Sequence, residues 1–432
     1  VDTRDQFVTR VTPGLSLRGN GARLSSNIDY NMQAVLRPGD DENRINHQLQ
    51  GRASATLVRE YLFFDARSSV TQQLTDARGR ISNSNISLDG NRADTISYRF
   101  SPYARFGLGD YARAELRYNY SDVVNQSGAA SDSDANEIRL NLRSGQFFGT
   151  FPWNVTYSRR ESTRNTDVEA DREVTFERIN GRVSYRPGRK FTVFVNFGDE
   201  DNSFQSNRGN TGGFTWSVGG RWTPNSRTTL SADWGERFFG NTFNVNASYR
   251  RRRIALQASY QETVRTFNQV AQNFQPIRLV DEFGNEVFDP EDSADFELQE
   301  DSPTQTDEVF VNKTLNGSVA YNGRRASVRL SFSDSTQNFQ QSGESNGQSR
   351  IRMNINYPLS KRLRTGFSVS WQDNSFNDGQ SDTLVRVSPS INYQFSQLLN
   401  TRLSYSYNDR STDDPNRDFT ENRVNASLSF RF

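Results

Sequence analysis

Through most of the chain, apolar and polar residues alternate with a period of two, the spacing that sends successive side chains to opposite faces of a β-strand. The last stretch keeps this pattern without exception. Phe432, Phe430, Leu428, Ala426 and Val424 share one face, and Arg431, Ser429, Ser427, Asn425 and Arg423 share the other. Ala112, Ala114, Leu116, Tyr118 and Tyr120 likewise oppose Arg113, Glu115, Arg117 and Asn119. Ile138, Leu140 and Leu142 oppose Arg139, Asn141 and Arg143. Ile351, Met353, Ile355 and Tyr357 oppose Arg350, Arg352, Asn354 and Asn356, and Leu363, Phe367, Val369 and Trp371 oppose Arg362, Arg364, Ser368 and Gln372. The pattern predicts strands centred near residues 12, 29, 50, 68, 100, 117, 140, 157, 180, 195, 217, 231, 246, 259, 315, 331, 353, 368, 389, 404 and 425, about 21 in all. Around Arg178 the phase slips between Val174/Phe176 and Ile179/Val183/Tyr185, which predicts a β-bulge.

The links between these strands are of two kinds. One set is short: Gly19, Asn20 and Gly21; Gly107 to Asp110; Arg186 to Arg189; Thr223 to Ser226; Asn322 to Arg324; and Pro358 to Lys361. These are turn chemistries, with Gly and Asn for positive φ and Pro for a fixed φ. The other set is longer, polar and often acidic: residues 38–43, 122–136, 199–210, 267–308, 374–381 and 409–420. Outer-membrane barrels have short periplasmic turns and long extracellular loops. The expected fold is therefore all-β, a single transmembrane antiparallel β-barrel over residues 1–432, with 267–308 as a long extracellular loop. Single-chain bacterial barrels have even strand numbers. The first predicted strand is followed by a tight turn, so it runs inward from the outside and residues 2–5 belong to an outer loop. The expectation is a further strand before Val1 and a complete barrel of about 22 strands.

Composition removes the main objection to this reading. A hydrophobic fraction of 33% and a mean hydropathy of −0.82 would suit a disordered chain, but 31 Phe, 16 Tyr and 5 Trp recur at regular intervals. A barrel reconciles the two, because only alternate strand residues face lipid. No run of apolar residues is long enough for a transmembrane helix. Cysteine is absent, which excludes disulfides and thiolate chemistry, and the formal net charge of +1 names no partner.

Several segments resemble a known family. Val11-Thr12-Pro13-Gly14-Leu15-Ser16-Leu17, Gly21-Ala22-Arg23-Leu24, Leu62-Phe63-Phe64-Asp65-Ala66-Arg67 and Ser101-Pro102-Tyr103-Ala104-Arg105 are similar to the outer-membrane barrels associated with the PEP-CTERM/exosortase system. The resemblance implies a β-barrel found with exopolysaccharide and protein-sorting genes, an additional strand before the Thr-Pro-Gly segment, and no catalytic residues. A strand ending on Leu428, Phe430 and Phe432 also resembles the C-terminal insertion signal of outer-membrane barrels, which implies recognition by the barrel-assembly machinery.

Candidate chemistry is sparse. His47, the one histidine, falls on the apolar face with Ile45 and Leu49 and reads as an aromatic at headgroup level. Without a second His, a catalytic triad or His-rich metal site has little to work with, and no enzymatic activity is expected. Asp65 and Glu115 sit among arginines and read as ion pairs. The lumen is expected to be lined by Arg113, Arg117, Arg139, Arg143, Arg350, Arg352 and Arg364. Residues 267–308 combine carboxylates with Phe283, Phe288 and Phe296, which suits a lid or plug, a protein-docking surface or a disordered tip. No cofactor is expected. Calcium is the cation that the carboxylates of 281–301 would suit, although Asp281 to Asp292 lack the alternation of an EF-hand. The expected surroundings are outer-membrane lipid and lipopolysaccharide, and nucleic acid is not an expected partner. The expected function is a passive conduit linked to exopolysaccharide or surface-polymer export, with an anionic polysaccharide as cargo. The alternative is a scaffold barrel that joins a surface assembly or sheathes a surface or periplasmic protein partner.

Overall fold

The computed structural model describes residues 6–38, 43–74, 91–126, 131–165, 173–273 and 306–430. They form 22 strand segments in one sheet, from β1 (Thr9–Val11) and β2 (Gly14–Asn20) to β22 (Phe419–Phe430). β1 and β2 pair with successive parts of β3 (Leu24–Leu36), Val11 opposite Ala34 and Gly14 opposite Asn31. The break falls at Pro13, which has no N–H for the ladder, though its carbonyl accepts from the Met32 N–H at 3.0 Å. Counting β1 and β2 as one strand leaves 21 positions, and every predicted strand centre falls in or directly beside one of them.

From β3 onward each strand pairs antiparallel with its sequence neighbours, an up-and-down meander. Among the described residues β22 pairs with β21 (Leu399–Thr412), and β1 and β2 pair with β3, so these strands form the two edges. Burial is inverted relative to a soluble protein. Gln33, Thr95, Ser121 and Asn408 are among the most buried side chains, whereas Leu116, Ile138 and Trp234 are 47%, 49% and 45% exposed. Such a continuous apolar face needs lipid rather than water. Leu428 and Phe430 lie on it, 71% and 56% exposed, while Phe432 lies outside the described residues.

The short links gather at one end of the sheet, the tight-turn end. Gly109 there has φ +58°, a conformation that glycine adopts without strain. At the opposite, wide-loop end the strands run further than the alternation predicts. β7 (Ala112–Asn125) and β11 (Phe191–Asn202) continue into residues that read as loop. Ladder hydrogen bonds hold these extensions where the apolar alternation has already stopped. That end also carries one link of two residues, between β13 (Thr228–Arg237) and β14 (Gly240–Arg251).

The bulge expected near Arg178 is absent. β10 (Glu173–Tyr185) pairs in unbroken register with both β9 (Trp153–Arg164) and β11. Register shifts occur instead between Thr56 and Val58 and between Trp222 and Asn225. The phase slip has another cause. Val174 and Phe176 share the face of Arg178, and Val174 packs into an apolar cluster with Phe204, Val309, Phe238 and Val264. Near the wide-loop end the polar face is covered by other chain, so apolar residues can point to it.

Candidate functional site

The polar face is rich in arginine, and the pleat explains why. A strand that alternates apolar and basic residues puts every guanidinium on the side away from lipid. All seven arginines expected there lie on it, in two regions. Arg113, Arg117, Arg139 and Arg143 belong to β7 and β8 (Ser133–Ser144), with Arg117 opposite Arg139 and Arg113 opposite Arg143. Arg350, Arg352 and Arg364 belong to β18 (Ser345–Pro358) and β19 (Leu363–Ser375).

Carboxylates balance part of this charge. Arg117 Nη1 donates to Asp65 at 2.9 Å, and Arg105 Nε donates to Glu115 at 2.9 Å, so both acids are ion-pair partners as expected. Arg139 pairs with Glu137 at 2.6 Å. Arg350 donates to Gln372 Oε1 at 2.6 Å and is nearly buried. His47 is exposed on the apolar face, where its Nδ1 lies 2.8 Å from the Tyr30 hydroxyl and the two rings stack.

Further charged groups belong to the same face. Arg52, Arg67 and Arg99 stand in register across β4 (Arg44–Val58), β5 (Leu62–Leu74) and β6 (Arg92–Leu108). Glu200 is 3% exposed and accepts two hydrogen bonds from Arg237, each at 2.7 Å, with Arg178 3.7 Å away. At the other side Arg410 pairs with buried Asp382, and Arg386 Nε donates to Asn408 at 3.0 Å. The alternation that marked the seven expected arginines marks Arg52, Arg67 and Arg99 as well, whereas Glu200 and Arg410 lie in strand extensions that read as loop.

One segment crosses the polar face. Residues 267–273 form a short helix, Phe267–Asn273, following β15 (Ile254–Arg265). Phe267 and Ala271 bury themselves against Val123 of β7. Asn268 accepts from Asn125 at 3.2 Å and donates to Ser133 at 2.7 Å. Gln272 accepts from Arg99 at 2.7 Å and from Arg160 at 3.4 Å. All these partners lie on the polar face of β6 to β9. From the far side of the 267–308 segment, Asp307 accepts from the Ser131 N–H at 2.9 Å. Phe283, Phe288, Phe296 and the acidic residues of 281–301 lie outside the described residues. Among those described, no three His, Asp or Glu side chains gather as a metal-binding group.

These contacts imply strong curvature. Measured along the sheet, seven strand spacings separate β8 from β15, roughly 34 Å. The three residues from Arg265 to Asn268 span at most about 11 Å. Asn268 reaches β8 only because the sheet bends until the polar faces of β15 and of β7 and β8 approach. A second bridge nearby joins the 203–212 loop to the 340–344 loop, where the Asn207 N–H donates to the Gln340 carbonyl at 2.7 Å. The wide-loop end is therefore drawn together over the concave polar face.

Comparisons with known proteins agree with this geometry. No family model matches the chain, and no curated protein matches it. Among solved structures it is similar to the FrpB iron transporter of Neisseria meningitidis, with TM-score 0.56 and 10% identity over 99% of this chain and 80% of that one. It is also similar to the siderophore receptor PirA of Acinetobacter baumannii, with TM-score 0.55 and 10% identity over 100% of this chain and 78% of that one. The ferric-catecholate import receptor Fiu of Escherichia coli gives TM-score 0.51 and 9% identity over 93% of this chain and 76% of that one. The fold is that of the outer-membrane β-barrels. With its apolar face turned outward, the chain is a multi-pass protein of that membrane, crossing it with strands.

Proposed function

We propose that this chain is an outer-membrane channel, without a catalytic role, whose arginine-rich interior passes an anionic solute. The row of Arg52, Arg67 and Arg99 in register carries the reading. Like charges directly opposite one another are destabilising, and a wet passage lined with them concentrates counter-ions. The resemblance to PEP-CTERM-associated barrels supports an exported polysaccharide or other surface polymer as the cargo. The 267–308 segment serves as an extracellular lid, tethered at its start by Asn268 and Gln272 and at its end by Asp307.

The test is conductance of the refolded protein in a planar bilayer under a salt gradient. The expected reversal potential favours anions, and Arg52→Gln with Arg67→Gln moves it toward cations. Silence of both the intact protein and a form lacking residues 272–302 would favour a scaffold instead. A second reading, a receptor for an anionic metal chelate, draws support from the likeness to FrpB and Fiu over nearly the whole chain. In that case a ferric catecholate would bind the refolded protein and block the current, whereas an exported-polymer channel would ignore it.

A further inference from the structure

We propose that the tight-turn end of the polar face holds a binding site for a sugar acid, with the carboxylate held by Arg182, Arg186 and Arg221 and the ring beside Phe194. Binding there goes beyond the channel reading and is independent of whether the protein conducts. The site is a pocket of about 210 Å³ between β9, β10, β11 and β12 (Gly213–Asn225). Pockets for drug-sized ligands start near 300 Å³, so this one suits a single small ring rather than a stretch of polymer.

Its floor is an aromatic on the wet side of the sheet. Phe194 is 8% exposed, although Thr192 and Asn196 on the same face are polar. The ring lies over Gly219 of β12. A Cβ at Gly219 would stand 2.6 Å from Phe194 Cζ and 2.5 Å from the Ala232 carbonyl, so a glycine is what lets the ring settle there. Arg182 lies over that ring, its guanidinium carbon 4.3 Å from the centroid. Its Nε donates to Asn196 Oδ1 at 2.6 Å, and Asn196 donates on to Ser217 at 2.6 Å. That chain fixes the guanidinium and commits only one of its nitrogens.

Arg186 and Arg221 complete the lining, and among the described residues neither makes an ion pair. Elsewhere on this face arginines find carboxylates, as Arg117, Arg139 and Arg237 do. Here the pocket lining contains none. The carboxylate that acts on Arg182 is Asp233, opposite Gly219 in the ladder and accepting from Asn244 at 3.0 Å. Three guanidiniums against one carboxylate leave an excess of positive charge. A carboxylate answers it with paired, charge-assisted hydrogen bonds, and the Phe194 ring gives a sugar ring an apolar flank.

Isothermal titration of the detergent-folded protein tests the proposal, with glucuronate, glucose and inorganic phosphate as probes. Glucuronate should bind roughly ten-fold or more tightly than either of the others. Arg186→Gln/Arg221→Gln should lose about as much affinity, while the folded band on an unheated gel stays unchanged. These two arginines are exposed and unpaired, and the single Arg221→Gln variant serves as the second test of the same loss. Glucose binding as tightly as glucuronate would remove the role of the carboxylate. Phosphate binding as tightly would remove the role of the ring. Wild-type affinity in the variants would place the ligand elsewhere.

Discussion

Glu200 holds two arginines in a nearly water-free part of the polar face, with its own side chain 2% exposed and that of Arg237 14% exposed. Removing one partner of a buried pair is destabilising by about 3–5 kcal/mol, because the other charge stays buried. Glu200→Gln is therefore expected to lower the urea midpoint of the folded barrel in vesicles. The loss should fall toward the low end of that range, since the Arg178 side chain is 40% exposed and can turn to water. Adding Arg237→Gln should recover part of it. Recovery in the double variant, rather than a further drop, would show that stranded charge and not lost packing is responsible. At this scale the sequence was informative about side only where the alternation holds, and silent about partner. Glu200 falls in a stretch that reads as loop and Arg178 at a slip in the alternation, and with Arg237 they come together only through the registers of β10, β11 and β13.

Among the elements, the strands were legible and the helix was not. Each strand declares itself through a face that lipid requires to be apolar, a demand that tertiary contacts do not override. The Phe267–Asn273 helix carries no charged residue, and its one local signal is a capping box, in which the Gln269 N–H donates to Thr266 Oγ1 at 3.3 Å and the Thr266 N–H donates to Gln269 Oε1 at 3.2 Å; its partner Val123 is remote in sequence. It exists because β7 offers Phe267 and Ala271 a place to bury. Asn268→Ala removes the donor to Ser133 and leaves buried polar groups without their partner, a local cost of about 1–3 kcal/mol. The expected result is a channel that flickers open more often in bilayer recordings, with assembly unchanged. β22 gives the converse prediction. Leu428→Asp places charge on the lipid face close to the tight-turn end, where the stability penalty is small, about 0–1 kcal/mol. Assembled protein should nevertheless fall sharply if Leu428 and Phe430 form the insertion signal. Normal assembly in cells would mean that the terminal strand is not read as one.

For the whole molecule, the sheet behaves as a wall and the wide-loop end as its closure. On the proposed channel reading, the 267–308 segment, whose described ends are tethered through Asn268 and Asp307, is the material that would narrow the opening. Deleting residues 272–302 should raise conductance and sensitivity to bulky antibiotics without loss of assembly; an unchanged current would put the restriction in the wall itself. The bridges that close this end also have a kinetic meaning. Hairpin partners such as Gly240 and Arg237 are neighbours in sequence, whereas Asn268 and Ser133 are 135 residues apart and Ser131 and Asp307 are 176 apart. Contacts of such separation are slow to form because the intervening chain must first be ordered. The wall must curve before they can close. A freshly inserted molecule should therefore pass through a leaky intermediate, seen as a burst of vesicle leakage that decays while strand content stays constant.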